Sequence, residues 1–185
     1  MSEGVTRAER EALLGQRART LWLTGLSGAG KTTLCRAAER RLHAAGRLCY
    51  VLDGDVLRTG LCRDLGLDPA SRAENVRRAG EVCRLLNDAG AIVLAAFVSP
   101  YEADRERTRA IVGPEAFRLV HLATSLSVCQ SRDPKGLYAR AAAGALTGMT
   151  GLDAPYEPPT APDAVIDTAT LPLEQAVDQL LALLD

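Results

Sequence analysis

Residues 21–33 read LWLTGLSGAGKTT, and this stretch decides the fold. Gly25 to Thr32 spells G-x-x-x-x-G-K-T, the phosphate-binding loop pattern. Leu21, Trp22, Leu23 and Thr24 before it suit a short buried strand. Lys31 to Ala45 after it contains neither Gly nor Pro and suits a helix. The motif therefore falls between a strand and a helix N-terminus, where backbone N–H groups and the helix dipole converge on an anion. Gly25, Gly28 and Gly30 allow the close approach. In this pattern Lys31 reaches the β and γ phosphates, and the Thr32 hydroxyl ligates Mg²⁺.

Outward from the loop, strands alternate with helices. Leu48–Leu52 is an apolar run ending in Asp53-Gly54-Asp55, with a helical turn expected from Asp55 to Gly60. Ser71 is a candidate cap, with Glu74 three residues on, for a helix from Arg72 to Ala89. Ala91–Val98 is a continuous apolar run that fits a strand covered on both faces. A helix over Glu102–Val112, a strand over Phe117–Ala123 and a short helix over Ser125–Ser131 follow. Arg132 to Pro162 is rich in Gly and Pro, and only Leu137–Ala145 reads as helical, so it is expected to be a lid. A strand at Ala164–Asp167 and a helix at Leu173–Leu184 close the chain. The pattern predicts an α/β fold: a P-loop NTPase with a parallel sheet of about five strands and helices on both faces. Residues 1–19 form a partly helical lead-in, and 20–185 form one domain. In such sheets ligands sit at the strand C-terminal ends, where the loop, Asp53, Asp55 and Ser99 all fall.

Composition narrows the function. The chain has 185 residues, 47% of them hydrophobic, and a formal net charge of -1, so bulk charge gives no argument for a nucleic-acid or membrane partner. No stretch is apolar and long enough to cross a bilayer, and the N-terminal residues lack a signal-peptide apolar core. The five cysteines are scattered, with no C-x-x-C pair, which reads as free thiols in a reducing cytoplasm. His43 and His121 read as ordinary helix and strand residues. No guanine-reading Asn-Lys-x-Asp motif is present, and a motor would be larger. A small-molecule kinase using ATP and Mg²⁺ fits best.

The chemistry-bearing residues follow from that class. One of Asp53 and Asp55 would orient Mg²⁺-bound water, and the other would position or deprotonate an incoming hydroxyl. Arg58, Arg63, Arg72, Arg77 and Arg78 form the densest basic cluster, a candidate clamp for an anionic acceptor; consecutive Arg77 and Arg78 cannot both face one cleft. In the lid, Arg132 and Lys135 would stabilise the transferring phosphoryl group.

The stretches GLSGAGKTT, LDGD, RDLGL, RAENVRR, VSPY, EADRE, RDPKGLY, TGLD, PYEPP and VIDT, in that order, resemble the adenylylsulfate (APS) kinases. The resemblance runs from about Leu21 to the C-terminal helix. It implies transfer of phosphate from MgATP to the ribose 3′-hydroxyl of adenosine 5′-phosphosulfate, giving PAPS in sulfate activation. On that resemblance Gly25, Leu26, Ser27, Gly28, Ala29, Gly30, Lys31, Thr32 and Thr33, with Arg132, would bind ATP. Thr32 and Asp53 would hold Mg²⁺. Lys31, Asp53 and Asp55 would be catalytic, Asp55 as base or positioner. Arg58, Leu67, Arg72, Asn75 and Arg77 or Arg78 would hold the acceptor. So would the turn of Val98, Ser99, Pro100 and Tyr101, and Lys135, Gly136, Leu137 and Met149 of the lid. Family members are often homodimers, and a homodimer is the corresponding expectation.

Ser99 takes the place of a family serine linked to a phosphoserine intermediate. In-line transfer needs no covalent enzyme step, and no base stands in the sequence to activate Ser99, so contact with substrate is the expectation. The family pattern also departs at four positions. Its Asn and His after Asp-Gly-Asp are Val56 and Thr59 here, and its two adenine-sandwiching Phe are Leu67 and Met149. These departures motivate an alternative: a kinase of this fold with another nucleotide-like or specialised-pathway acceptor. A non-catalytic nucleotide-binding module is disfavoured by intact Lys31, Thr32, Asp53, Asp55 and Arg58.

Overall fold

A computed structural model describes residues 4–185. At its centre is β1 (Thr20–Thr24), whose five residues are all buried. Alternate side chains on a strand face opposite ways. Leu21 and Leu23 join one core with Leu34, Ala38 and Leu180, while Trp22 joins a second with Phe97, Ala79 and Phe117. Both faces of the sheet are thus covered, as a continuous apolar strand requires.

The elements run α1 (Arg7–Leu14), β1, α2 (Lys31–Ala44), β2 (Cys49–Asp53), α3 (Gly54–Thr59), α4 (Pro69–Asp88), β3 (Ile92–Ala96), α5 (Glu102–Val112), β4 (Phe117–Leu122), α6 (Leu126–Arg132), α7 (Leu137–Ala142), β5 (Ala164–Ile166) and α8 (Leu173–Leu181). The five strands are parallel, in the order β2-β3-β1-β4-β5. Because β1 and β2 both border β3, their C-terminal ends bring Gly25, Asp53 and Val98–Ser99 to one edge of the sheet, where α/β ligands bind.

Several boundaries differ from expectation, among them α7, which ends at Ala142 and not Ala145, and two of the differences have a local reason. The long helix α4 begins at Pro69, and its cap is Asp68, which accepts from Ser71 N at 3.0 Å. Pro is favoured in the first turn because it has no N–H to satisfy, so Ser71 lies inside the helix. Glu74 closes no capping box and instead pairs with Arg77 and Arg78. The apolar run 91–98 pairs only as far as Ala96, because Ser99 turns out of the strand with φ 37°. Helix α8 stops at Leu181 and ends in a single 3-10 turn over Ala182–Leu184.

The segment from Arg132 to Pro162 is largely irregular, with α7 and one bridge between Thr150 and Ala154. It is nonetheless pinned. The Asp153 carboxylate accepts from Gly148 N at 2.6 Å and Met149 N at 2.5 Å. Tyr138 is buried and donates its hydroxyl to Ser27 O at 3.0 Å. The segment therefore lies against the phosphate loop.

Candidate active site

The loop between β1 and α2 wraps one end of a cavity of about 850 Å³. Gly28 has φ +80°, and a Cβ there would stand 2.8 Å from Cys129 O on α6. Gly30 has φ +95° and packs against the Thr168 side chain. Both positions thus need glycine on conformational as well as steric grounds. Lys31 folds back over the loop, donating to Gly25 O at 2.8 Å and Leu26 O at 2.7 Å. Burial, with a smaller contribution from nearby Lys135, pushes its pKa down to about 8. The Thr32 hydroxyl donates to the Asp53 carboxylate at 2.7 Å. Ser27, Gly28, Gly30, Lys31, Thr32 and Thr33 line the cavity. Gly25, Leu26 and Ala29 do not, and they act beneath it through backbone carbonyls.

The loop rests on Thr168 and Thr124, which sequence reading left unassigned, together with Arg132, which it assigned to ATP. Thr168 Oγ1 donates to Ala29 O at 2.9 Å and accepts from Arg132 Nη1 at 2.7 Å. Arg132 also donates to Thr168 O at 2.8 Å. Thr124 Oγ1 lies 3.0 Å from Thr168 Oγ1. Thr168 ends the VIDT stretch, so the motif was visible in sequence, but its role as a strut under the loop was not.

The opposite wall carries the candidate acceptor residues. Asp53 caps α3, accepting from Asp55 N at 2.8 Å, and so sets Asp55 in the helix's first turn at the cavity edge. Lys135 reaches across from the lid to pair with the Asp55 carboxylate. Arg58 donates to Gly66 O at 2.9 Å. Arg72 is a three-way strut, donating to Leu67 O at 2.6 Å, to Gly148 O at 2.5 Å and to Thr150 Oγ1 at 2.5 Å. Asn75 is buried, and its Nδ2 has no partner among the described residues, leaving a donor for whatever enters. Leu67 and Met149 both line the cavity, Leu67 at 51% exposure and Met149 at 6%. Val98, Ser99, Pro100 and Leu137 complete it.

Some expected residues do not reach this cavity. Neither Arg77 nor Arg78 lines it. Arg77 pairs with Glu74 and Glu81, and Arg78 forks onto Asp64 at 2.7 and 2.8 Å. Both face the outer side of α4, because the inward angle is taken by Asn75 and Val76. Tyr101 caps α5 outside the lining, and Gly136 is the left-handed residue that starts α7. Ser99 lines the cavity, but its hydroxyl is buried and accepts from Trp22 Nε1 at 3.1 Å. Among the described residues no carboxylate or imidazole is hydrogen-bonded to that hydroxyl, so the geometry supplies no base for a covalent step.

The arrangement matches known proteins along almost all of its length. The family model for adenylylsulphate kinase covers residues 17–167. An adenylyl-sulfate kinase from Shewanella amazonensis is 51% identical over 96% of this chain and 89% of its own. The bifunctional enzyme NodQ of Azospirillum brasilense is 49% identical over 97% of this chain, which spans 29% of NodQ. Among solved structures, the Mycobacterium tuberculosis APS kinase CysC in complex with AMPPNP and APS superposes with a TM-score of 0.87 at 42% identity, over 91% of this chain and 98% of that one. A gluconokinase from Sinorhizobium meliloti, at 18% identity and a TM-score of 0.59, shares the fold alone. With the phosphate loop, the paired aspartates and the lid in the order and places described, the chain belongs to the adenylylsulphate kinase family.

Proposed function

We propose that this chain transfers the γ-phosphoryl group of ATP to the 3′-hydroxyl of adenosine 5′-phosphosulfate, yielding PAPS and ADP. One observation carries the reading. A donor set of Lys31, Thr32 and Asp53 and an acceptor wall of Asp55, Arg58, Arg72 and Asn75 share a single cavity. The AMPPNP and APS of the Mycobacterium tuberculosis complex, an ATP analogue and the acceptor, support the same pairing. In the transfer, the acceptor O3′ bonds to the γ-phosphorus as the bond to the β-γ bridging oxygen breaks, and the hydroxyl proton passes to the Asp55 carboxylate. Lys31 and the loop N–H groups neutralise charge on the donor phosphates, and Lys135, released from Asp55, does so from the lid side. Arg132 and Thr168 hold the loop in place. Thr32 and Asp53 supply the hard oxygen donors that Mg²⁺ prefers, 2.7 Å apart at the cavity edge. Bound there with nucleotide, Mg²⁺ would neutralise phosphate charge.

The test is direct. Purified protein with MgATP and APS should form ADP and PAPS in equal amounts, resolved by ion-exchange chromatography. Normal ATP binding with no PAPS at any APS concentration would refute the proposal. A second reading, another nucleotide-like acceptor, is favoured by Leu67 and Met149, where the cavity offers aliphatic surface in place of aromatic rings. A panel of adenosine and sugar acceptors distinguishes the two.

Cytoplasmic location and a homodimer belong to the same proposal. All five cysteines are free, and among the described residues no helix is long and apolar enough to cross a membrane. A Thiobacillus denitrificans APS kinase is hexameric, which supports self-association. Light scattering of the purified chain measures it.

A further inference from the structure

Arg105, on α5, is fully buried, an uncommon place for a guanidinium. It does not line the cavity of the phosphoryl-transfer site. Its Nη1 donates to Ser99 O at 2.7 Å, and its Nη2 donates to Glu157 O at 2.7 Å and pairs with Glu102. A buried ion pair is weak evidence for stabilisation in itself. The identity of these partners says more. Ser99 belongs to the acceptor wall, and Glu157 to the end of the lid segment.

Ser99 has φ 37°, a left-handed backbone that side-chain-bearing residues rarely adopt and that persists only when its surroundings impose it. Three donors impose it: Arg105 on Ser99 O, Thr24 Oγ1 on Val98 O at 2.7 Å, and Trp22 Nε1 on Ser99 Oγ at 3.1 Å. The end of the lid enters the same knot. Tyr156 OH lies 3.1 Å from Thr24 Oγ1, Glu157 N donates to Pro100 O at 2.8 Å, and Glu102 N donates to the Glu157 carboxylate at 2.7 Å.

We propose that Arg105 is a positioning residue for the acceptor. It ties the Val98–Pro100 wall to residues 156–157, so that seating of the lid and placement of the acceptor are one event. It acts through the Ser99 backbone, away from the reacting atoms. Lysine cannot substitute, because one ammonium does not span two carbonyls and a carboxylate as the guanidinium fork does. The proposal deepens the reading of APS as acceptor and rests on it only for the acceptor's identity.

The full-length chain carrying Arg105→Lys tests it, with APS and ATP varied separately. Trp22 is the only tryptophan and sits on the Ser99 hydroxyl, so its emission reports the wall directly. The expected result is a KM for APS raised by between about tenfold and a hundredfold, as for an ångström-scale misplacement. The KM for ATP should stay within about twofold, and Trp22 emission should shift in the ligand-free variant. Equal changes in both KM values, or unchanged KM values with only a lowered melting temperature, would overturn the proposal. If Arg105→Lys does not fold, Tyr156→Phe decides: removal of that one hydroxyl should raise the APS KM severalfold with ATP unaffected, and an unchanged APS KM overturns it. If wild-type protein makes no PAPS, the substrate reading fails separately. Trp22 emission then judges Arg105 alone, a shift in Arg105→Lys supporting the proposal and none refuting it.

Discussion

In the ligand-free protein Lys31 holds its charge at a cost, and nucleotide binding should remove that cost. Burial, and secondarily Lys135, takes its pKa from an ordinary 10.5 to about 8. At 1.36 kcal/mol per unit, that is about 3 kcal/mol. The sign is set by which state binds the proton. Below pH 8 the lysine is charged in both folded and unfolded chains, and the folded state carries the full penalty. Between pH 8 and 10.5 the folded lysine is neutral while the unfolded one stays charged, so the penalty shrinks as pH rises. A triphosphate against Lys31 favours the charged form and returns the pKa upward. At pH 8, where half of the ligand-free lysines are neutral, nucleotide binding should take up about half a proton, and at pH 9 about 0.9 of one. Apparent affinity should fall about tenfold per pH unit above 8. Isothermal titration with a non-hydrolysable ATP analogue, in buffers of different ionisation enthalpy, measures the uptake. Lys31→Met should remove it and abolish turnover. It should also raise the melting temperature at pH 7 by about 2–4 °C, if about 2 kcal/mol of lost carbonyl contacts offsets most of the relief. Binding without proton uptake at pH 8–9, or uptake undiminished in Lys31→Met, would refute the reasoning.

Thr168→Val keeps the shape but loses the bonds to Ala29 O and from Arg132; ATP affinity should fall about tenfold, with the acceptor KM steady, in fluorescence titrations. Leu67→Phe puts a ring at a half-exposed position with room for it, and stacking worth about 1–3 kcal/mol per base should lower the KM for APS roughly tenfold. Met149→Phe should not match it, because Met149 is packed in the core and a larger ring overpacks the site. Ser99→Ala removes the acceptor of the Trp22 N–H; a melting temperature lowered by about 2–4 °C is expected alongside measurable turnover, whereas complete loss of phosphoryl transfer in folded protein would restore the covalent route.

The donor half was legible in sequence because it depends on local backbone. Gly25 to Thr32 fixes a strand, a turn and a helix start, and those place Lys31 and Thr32 without reference to the rest of the chain. Asp53 and Asp55 were legible for the same reason, being a strand end and a first helical turn. The α5 limits, Glu102–Val112, also came out as read, since Pro100 and Gly113 bound a run of good helix formers. What stayed hidden depends on contacts far apart in sequence. Thr168 ends the VIDT stretch, but no local pattern shows that it bridges Ala29 and Arg132. Arg77 and Arg78 looked suited to an anion because charge is read without direction. In the fold Glu74, Glu81 and Asp64 occupy them, and Asn75 takes the inward angle. The committed hydroxyl of Ser99 needed the position of Trp22, which a motif does not carry.

Lys31, Arg72, Arg132 and Lys135, four cations lining the cleft, have internal partners, and the kind of partner decides how each yields. Lys31 rests on two neutral carbonyls, Arg132 on a threonine, and Arg72 on two carbonyls and a hydroxyl. A phosphate adds the attraction of a full opposite charge that a neutral carbonyl lacks, so an anionic ligand outcompetes the carbonyls at Lys31. Arg72 differs, because its three bonds brace Leu67 against Gly148 and Thr150; drawing it to an anion would loosen the acceptor wall. Lys135 alone among the lid cations faces a carboxylate, Asp55. Both side chains are more than half exposed, and such a pair is worth about 0–1 kcal/mol. That contact is therefore easily opened, and opening it frees at once the carboxylate proposed to take the acceptor proton and the ammonium proposed to meet the transferring phosphoryl group. The proposed base and the proposed lid cation thus neutralise each other in a weak contact that an anionic substrate separates readily.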